Sequence, residues 1–99
     1  MNTHASLDNY SQVAEQWKAR GFSCDVWTDH PGQEWDNFVH DKDELLMVLE
    51  GELELVIDGQ PRKPLIGEEV LIPAKTVHTV RNAGKKNNRW LYGAKKGSV

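Results

Sequence analysis

The first twenty residues repeat their apolar positions at the spacing of a helix. Tyr10, Val13, Ala14 and Trp17 fall at i, i+3, i+4 and i+7, one stripe of a 3.6-residue period. Asp8 or Ser6 can cap the start, because a short side-chain oxygen accepts an otherwise unpaired backbone N–H. Gly21 stands where a left-handed terminating residue is needed. The spacing predicts a helix over 8–20, within an N-terminal segment 1–21 that packs on whatever follows. Beyond Gly21 the period becomes two: Leu53, Leu55 and Ile57 alternate with Glu52, Glu54, Val56 and Asp58, as a half-buried strand requires. Turn signals recur at Pro31-Gly32, Glu50-Gly51, Asp58-Gly59, Ile66-Gly67, Pro73-Ala74 and 82–84. Asp58-Gly59 between alternating segments is a hairpin signal, since both residues tolerate the positive φ of a tight primed turn. Strands are predicted over 22–29, 34–39, 44–50, 52–58, 61–65, 69–72, 76–82 and 89–95, giving an all-β sandwich or barrel over 22–95 with a short N-terminal α-helix.

Parity within the strands carries the chemistry. Glu44 shares a face with Leu46 and Val48, while Leu45, Met47 and Leu49 share the other. A strand apolar on both faces is covered on both sides. Glu44 therefore opens a buried row, where a carboxylate is costly unless a cation or hydrogen bonds hold it. Phe38 and His40 share one parity upstream, and Thr76, His78, Val80 and Asn82 share another downstream. Two imidazoles and one carboxylate at the ends of neighbouring strands can converge inside a barrel.

Composition narrows the function. The chain has 99 residues, room for one core, with 12 basic and 15 acidic side chains and a net charge of −3. That balance lacks the clustered basic excess of a nucleic-acid footprint. The apolar run 45–49 is far short of the ~20 residues of a membrane span. A single cysteine, Cys24, leaves no intramolecular disulfide and is most simply a small core residue. The start Met-Asn-Thr-His has no apolar leader. A cytoplasmic protein is expected, with no nucleic-acid or membrane partner.

The spacing then reaches a resemblance. Gly32, Phe38, His40, Glu44 and Gly51 are separated by five, one, three and six residues. This resembles the first motif of the cupin family, Gly-x5-His-x-His-x3/4-Glu-x6-Gly. Gly67, Pro73, Lys75, His78 and Asn82 are separated by five, one, two and three residues, and resemble the second, Gly-x5-Pro-x-Gly-x2-His-x3-Asn. The resemblance implies a conserved β-barrel, a jelly roll of two antiparallel sheets with a pocket at one end. It also implies metal ligation by His40, Glu44 and His78. Phe38 departs from the pattern, standing where the family has its first histidine, and its ring cannot coordinate. Lys75 departs too, standing in place of a glycine.

Two histidines and one carboxylate suit Fe(II), with Mn, Ni or Zn also accommodated. Three protein ligands leave positions open, as a catalytic site needs. One reading is thus a metal-dependent oxygenase, isomerase or lyase acting on a small molecule. The other is a metal-free binding module, its pocket lined by Phe38, Leu46, Val48, Val80 and Trp90 and holding an apolar ligand, or an anionic one if Lys75 sets a positive charge over the mouth. Trp90 and Tyr92 share a strand face and can line the cavity; Trp17 and Trp27 are expected beneath the helix or at a dimer seam. His30, before Pro31, is expected in solvent, with a substitute-ligand role as the lesser alternative. Sheet edges need covering, and a homodimer is expected.

Overall fold

The computed structural model describes residues 4–96, and for residues 4–9 and 36–38 the backbone alone. Helix α1 (His4–Ala19) is followed by β1 (Asp25–Asp29), β2 (Glu34–Phe38), β3 (Glu44–Glu50), β4 (Leu53–Ile57), β5 (Gln60–Arg62), β6 (Glu69–Ile72), β7 (His78–Asn82) and β8 (Asn88–Ala94). The strands form two four-stranded sheets, ordered β1-β8-β3-β6 and β2-β7-β4-β5, every neighbouring pair antiparallel. This is the expected jelly-roll sandwich. Among the described residues no helix is long and apolar enough to cross a membrane.

β3 is buried on both faces because it lies between two layers. Its Leu46 and Val48 join Leu53, Leu55, Val70, Ile72, Val80 and Trp90 in the core between the sheets. Its Leu45, Met47 and Leu49 join Trp17, Phe22 and Leu91 on the outer face, with Tyr10 and Val13 of the helix packed against them. The helical stripe thus covers the first sheet. Trp17 is fully buried, and its indole N–H donates to Glu69 at 3.0 Å, while Arg20 grips the same carboxylate through two nitrogens at 2.8 and 2.9 Å. Gly93 makes this approach possible. A Cβ there would stand 2.1 Å from the Ser23 carbonyl oxygen and 2.8 Å from the Trp17 ring.

The end of α1 follows the predicted glycine. Gly21 has φ +89°, and Phe22 N–H to Trp17 O (2.8 Å) with Gly21 N–H to Lys18 O (3.0 Å) is the paired bonding that satisfies terminal carbonyls around a left-handed residue. The start differs from expectation. The helix begins at His4, so the backbone of Ser6 and Asp8 lies within it and not at its start; their side chains lie outside the described residues. The Asp58-Gly59 turn has φ values of 51° and 80°, the signature of a primed two-residue hairpin. β5 is shorter than the predicted 61–65. After Arg62 the Glu68 carboxylate accepts the Leu65 N–H at 2.9 Å, a loop closure that takes the chain out of the sheet and leaves Leu65 exposed.

Candidate metal centre

Three segments deliver the polar end of the cavity between the sheets. Glu44 is the first residue of β3, His78 the first of β7, and His40 sits in the connection between β2 and β3. That connection is tied down twice: the Lys75 N–H donates to the His40 carbonyl at 2.6 Å, and the Ala74 N–H donates to Asp43 Oδ1 at 2.8 Å. The turn before β7 therefore fixes the loop that carries His40.

Glu44 is 1% exposed. Its Oε2 accepts the Tyr92 hydroxyl and lies 3.3 Å from His40 Nε2; its Oε1 lies 3.2 Å from His78 Nε2. The imidazole rings of His40 and His78 are 5.3 Å apart. One ligand atom from each of the three side chains falls within 4.8 Å of the others. Burial, and then the hydrogen bond to Glu44, push the Tyr92 phenol well above its ordinary pKa, so it serves as a protonated donor. His78 Nδ1 lies 3.2 Å from the Thr76 carbonyl. A carbonyl can only accept, so Nδ1 carries the proton. In the neutral ring Nε2 is then a lone pair, and it faces Glu44 Oε1, a buried oxygen that receives no hydrogen bond. Two electron pairs meeting in a buried place call for a cation between them. Each imidazole nitrogen faces its own carboxylate oxygen, at 3.3 Å for His40 and 3.2 Å for His78. At these spacings a nitrogen and an oxygen can each sit about 2.0–2.2 Å from a shared ion. The residues present fit a divalent metal.

Above this end lies a cavity of about 240 Å³ lined by Trp27, Trp35, His40, Leu46, Ile72, His78, Val80, Trp90 and Tyr92. At ~30 Å³ per water it holds roughly eight waters, or one small organic molecule. Leu46, Val80 and Trp90 are among these lining residues. Val48 is not: it shares their face but lies in the closed core, bridged to Ile66. Lys75 also falls outside the lining. It is exposed, with φ 63°, and supplies its backbone N–H to the His40 loop in place of a charge at the mouth. The Phe38 side chain lies outside the described residues; its backbone is the register partner of His78. His30 is exposed and stands apart from the three-residue group. Cys24 packs half-buried beside the helix cluster, its thiol pushed up to about 11 by burial and then by Asp25.

Trp27 does not lie beneath the helix but forms a wall of the cavity, because it pairs across the sheet with Trp90 and partners on adjacent strands project to the same side. Trp35 and Ile72 were not anticipated as lining, nor was Asp29, which is fully buried behind the wall. Asp29 accepts the indole N–H of Trp35 at 3.1 Å and of Trp90 at 2.8 Å. The alternation of β1 put Trp27 and Asp29 on one face, and only the pairing with β8 says which face that is.

Two twisted antiparallel sheets closing on a pocket with a buried two-histidine, one-carboxylate group define a small β-sandwich with a metal-competent interior. The chain belongs to the cupin family: the family's Cupin domain profile matches residues 25–92. No curated protein sequence matches it. Among solved structures it is similar to the Cupin_2 domain of an XRE family transcriptional regulator from Enterobacter cloacae, at 22% identity and a TM-score of 0.71, over 83% of this chain and 90% of that one. It is also similar to a cupin-superfamily sugar phosphate isomerase from Silicibacter pomeroyi, at 25% identity and a TM-score of 0.68, over 78% of this chain and 52% of that one. A salicylate 1,2-dioxygenase from Pseudaminobacter salicylatoxidans matches at 21% identity and a TM-score of 0.70, over 76% of this chain and 22% of that one. These likenesses establish the shared fold.

Proposed function

We propose that this cupin binds a divalent transition metal through His40, Glu44 and His78, and uses it to hold and act on a small organic molecule in the cavity above. The observation that carries the reading is Glu44 Oε1, buried and without a hydrogen-bond donor, set 3.2 Å from an imidazole nitrogen whose ring partner is already committed to Thr76. A purely structural His–Glu contact would aim an N–H at that oxygen. The metal would supply Lewis acidity toward a substrate oxygen or a water. The chain's own groups do the rest: Tyr92 and the Thr76 carbonyl orient the ligands, as partners of metal-bound side chains generally do. The apolar walls exclude water and strengthen every charge interaction at the polar end.

Two of the similar proteins bear on the substrate. The names of those proteins point to a sugar phosphate for one and an aromatic acid for the other. Among the described residues the cavity lining has no lysine or arginine, the side chains that give a phosphate charge-assisted hydrogen bonds. That favours a substrate with one oxygen donor and a body that rests on aromatic rings. Elemental analysis of protein purified without a chelating tag tests the metal assignment. Stoichiometric Fe, Mn, Ni or Zn is expected in the wild type and a large loss in His78→Ala; equal metal content in both would overturn it.

A further inference from the structure

The end of the cavity away from His40, Glu44 and His78 is aromatic and carries its own electrostatic signature. Trp27 lies in stacked orientation to Trp90 (centroids 6.1 Å apart, 21° between planes) and edge-on to Trp35 (5.5 Å, 77°) and Tyr92 (6.4 Å, 86°); Trp90 and Tyr92 are also perpendicular, at 6.3 Å and 87°. Rings crossing at right angles around a common space form the corners of a box. The indole N–H groups of Trp35 and Trp90 both go to the buried Asp29 carboxylate, and the Tyr92 hydroxyl goes to Glu44. Three of the four polar hydrogens of these aromatics thus go to carboxylates, and what the rings chiefly offer a ligand is electron-rich surface. Behind the walls stand two carboxylates, Asp29 and Glu44, and the described lining residues include no lysine or arginine.

We infer that the aromatic end of the pocket takes a small methylated onium cation, a quaternary ammonium group or its sulfonium counterpart. An anion meets two carboxylates there and, among the described lining residues, no lysine or arginine. A primary ammonium brings three N–H donors mainly to ring faces, since both Asp29 oxygens already accept indole N–H groups. A methylated onium has no N–H to satisfy, sheds water cheaply and is attracted by ring faces within about 6 Å. A cavity of about 240 Å³ accommodates such a head group with a short oxygen-bearing arm reaching the polar end. This deepens the proposed small-molecule function of the same cavity, yet the box is built without any metal ligand other than the contact of Tyr92 with Glu44.

The test is a tryptophan-fluorescence titration of the chelator-treated protein with choline and with 3,3-dimethyl-1-butanol, which replaces the quaternary nitrogen by carbon at the same shape. Choline is expected to bind at least about tenfold tighter, equivalent to ~1.4 kcal/mol. Trp27→Ala alters a ring that is 40% exposed and should reduce that preference severalfold; Asp29→Asn should reduce it as well, and if that buried variant fails to fold, Trp27→Ala decides. Equal or tighter binding of the neutral alcohol by the wild type, or a choline preference untouched by Trp27→Ala, overturns the inference. Metal content is measured on separate samples, so choline selectivity without metal refutes only the metal assignment. Metal binding without choline selectivity refutes only the onium assignment.

Discussion

Replacing Glu44 by glutamine separates a metal ligand from a structural carboxylate, because the two roles predict changes of opposite sign. In the metal-free protein, Oε1 of Glu44 is buried without a donor and faces His78 Nε2 at 3.2 Å. Glutamine is close to isosteric. Its carbonyl can keep accepting the Tyr92 hydroxyl, and its NH2 can donate to the His78 lone pair. Relief of one unsatisfied buried acceptor is worth about 1–3 kcal/mol, part of which is lost because the Tyr92 hydrogen bond no longer has a charged acceptor. A net gain of about 1 kcal/mol would raise the melting temperature of the metal-free variant by roughly 4–8 °C.

The response to metal moves the other way. A ligand at 100 times its Kd stabilises the native state by about 2.7 kcal/mol, or roughly 11–22 °C for a domain of this size. Loss of the only anionic ligand should weaken binding at least about 100-fold, the upper range for disturbing even the supporting shell of a metal site. The same metal concentration then yields only about 0.4 kcal/mol. Differential scanning fluorimetry at pH 7.5, with chelated protein and Ni(II) added stepwise, reads both effects. A Glu44→Gln variant that keeps the wild-type Ni(II) shift would refute the ligand assignment. A variant whose metal-free melting temperature falls steeply would show that Glu44 and His78 form a true buried ion pair, whose disruption costs about 3–5 kcal/mol.

Two further predictions concern the layer that holds the site in place. Gly93→Ala puts a Cβ 2.1 Å from the Ser23 carbonyl oxygen and 2.8 Å from the Trp17 ring, so overpacking of about 2–3 kcal/mol is expected and thermal denaturation should shift down by about 10 °C or more; a shift within about 2 °C would mean the helix is not seated as described. The hydrogen bonds and charge of Arg20, together with the indole of Trp17, hold the Glu69 carboxyl below its usual range. A carboxyl whose folded pKa is depressed contributes stability that is full above its unfolded pKa, about 4.3, and lost as pH falls through the folded value. The pair is half-exposed, which limits its worth to about 1 kcal/mol. The melting-temperature gap between wild type and Glu69→Gln should therefore be constant from pH 7 to about 5.5 and narrow progressively below the unfolded carboxyl's value of about 4.3; a gap that does not narrow as the pH is lowered contradicts the linkage.

What was legible in the sequence was whatever a single strand or its neighbours decide. The two-faced apolar pattern of β3 foretold both layers around it, and the spacing of His40, Glu44 and His78 foretold their convergence. What parity cannot give is depth. Val48 has the parity of Glu44 and Leu46 but lies further along the strand, in the core cluster with Leu53, Leu55 and Val70, so it became core and not wall. Asp29, next to His30, Pro31 and Gly32, has the look of a solvated turn residue. Its burial arises only because Trp35 and Trp90 bring their indole N–H groups to it from two other strands. A lysine where the resemblance has a glycine reads either as a charge at the mouth or, more simply, as a solvated loop residue at a φ that glycine favours. Here the lysine adopts that φ itself and contributes its N–H.

The same non-local pairing that hid Trp27 also explains how the cavity acquires two chemically different ends. Along β3, Glu44 pairs with Ala94, Leu46 with Tyr92 and Val48 with Trp90, and Trp90 pairs onward with Trp27. One strand's register thus sets the order from carboxylate to phenol to indole. A slip of β8 by one residue would turn Trp90 and Tyr92 toward the helix, because side chains alternate with period two. It would also move Gly93 from beneath Trp17, and the residue arriving there would carry a side chain into a space that does not admit a Cβ. The helix contact on the outer face therefore specifies the register of the strand that builds the inner face. A glycine remote from the cavity fixes which residues line it.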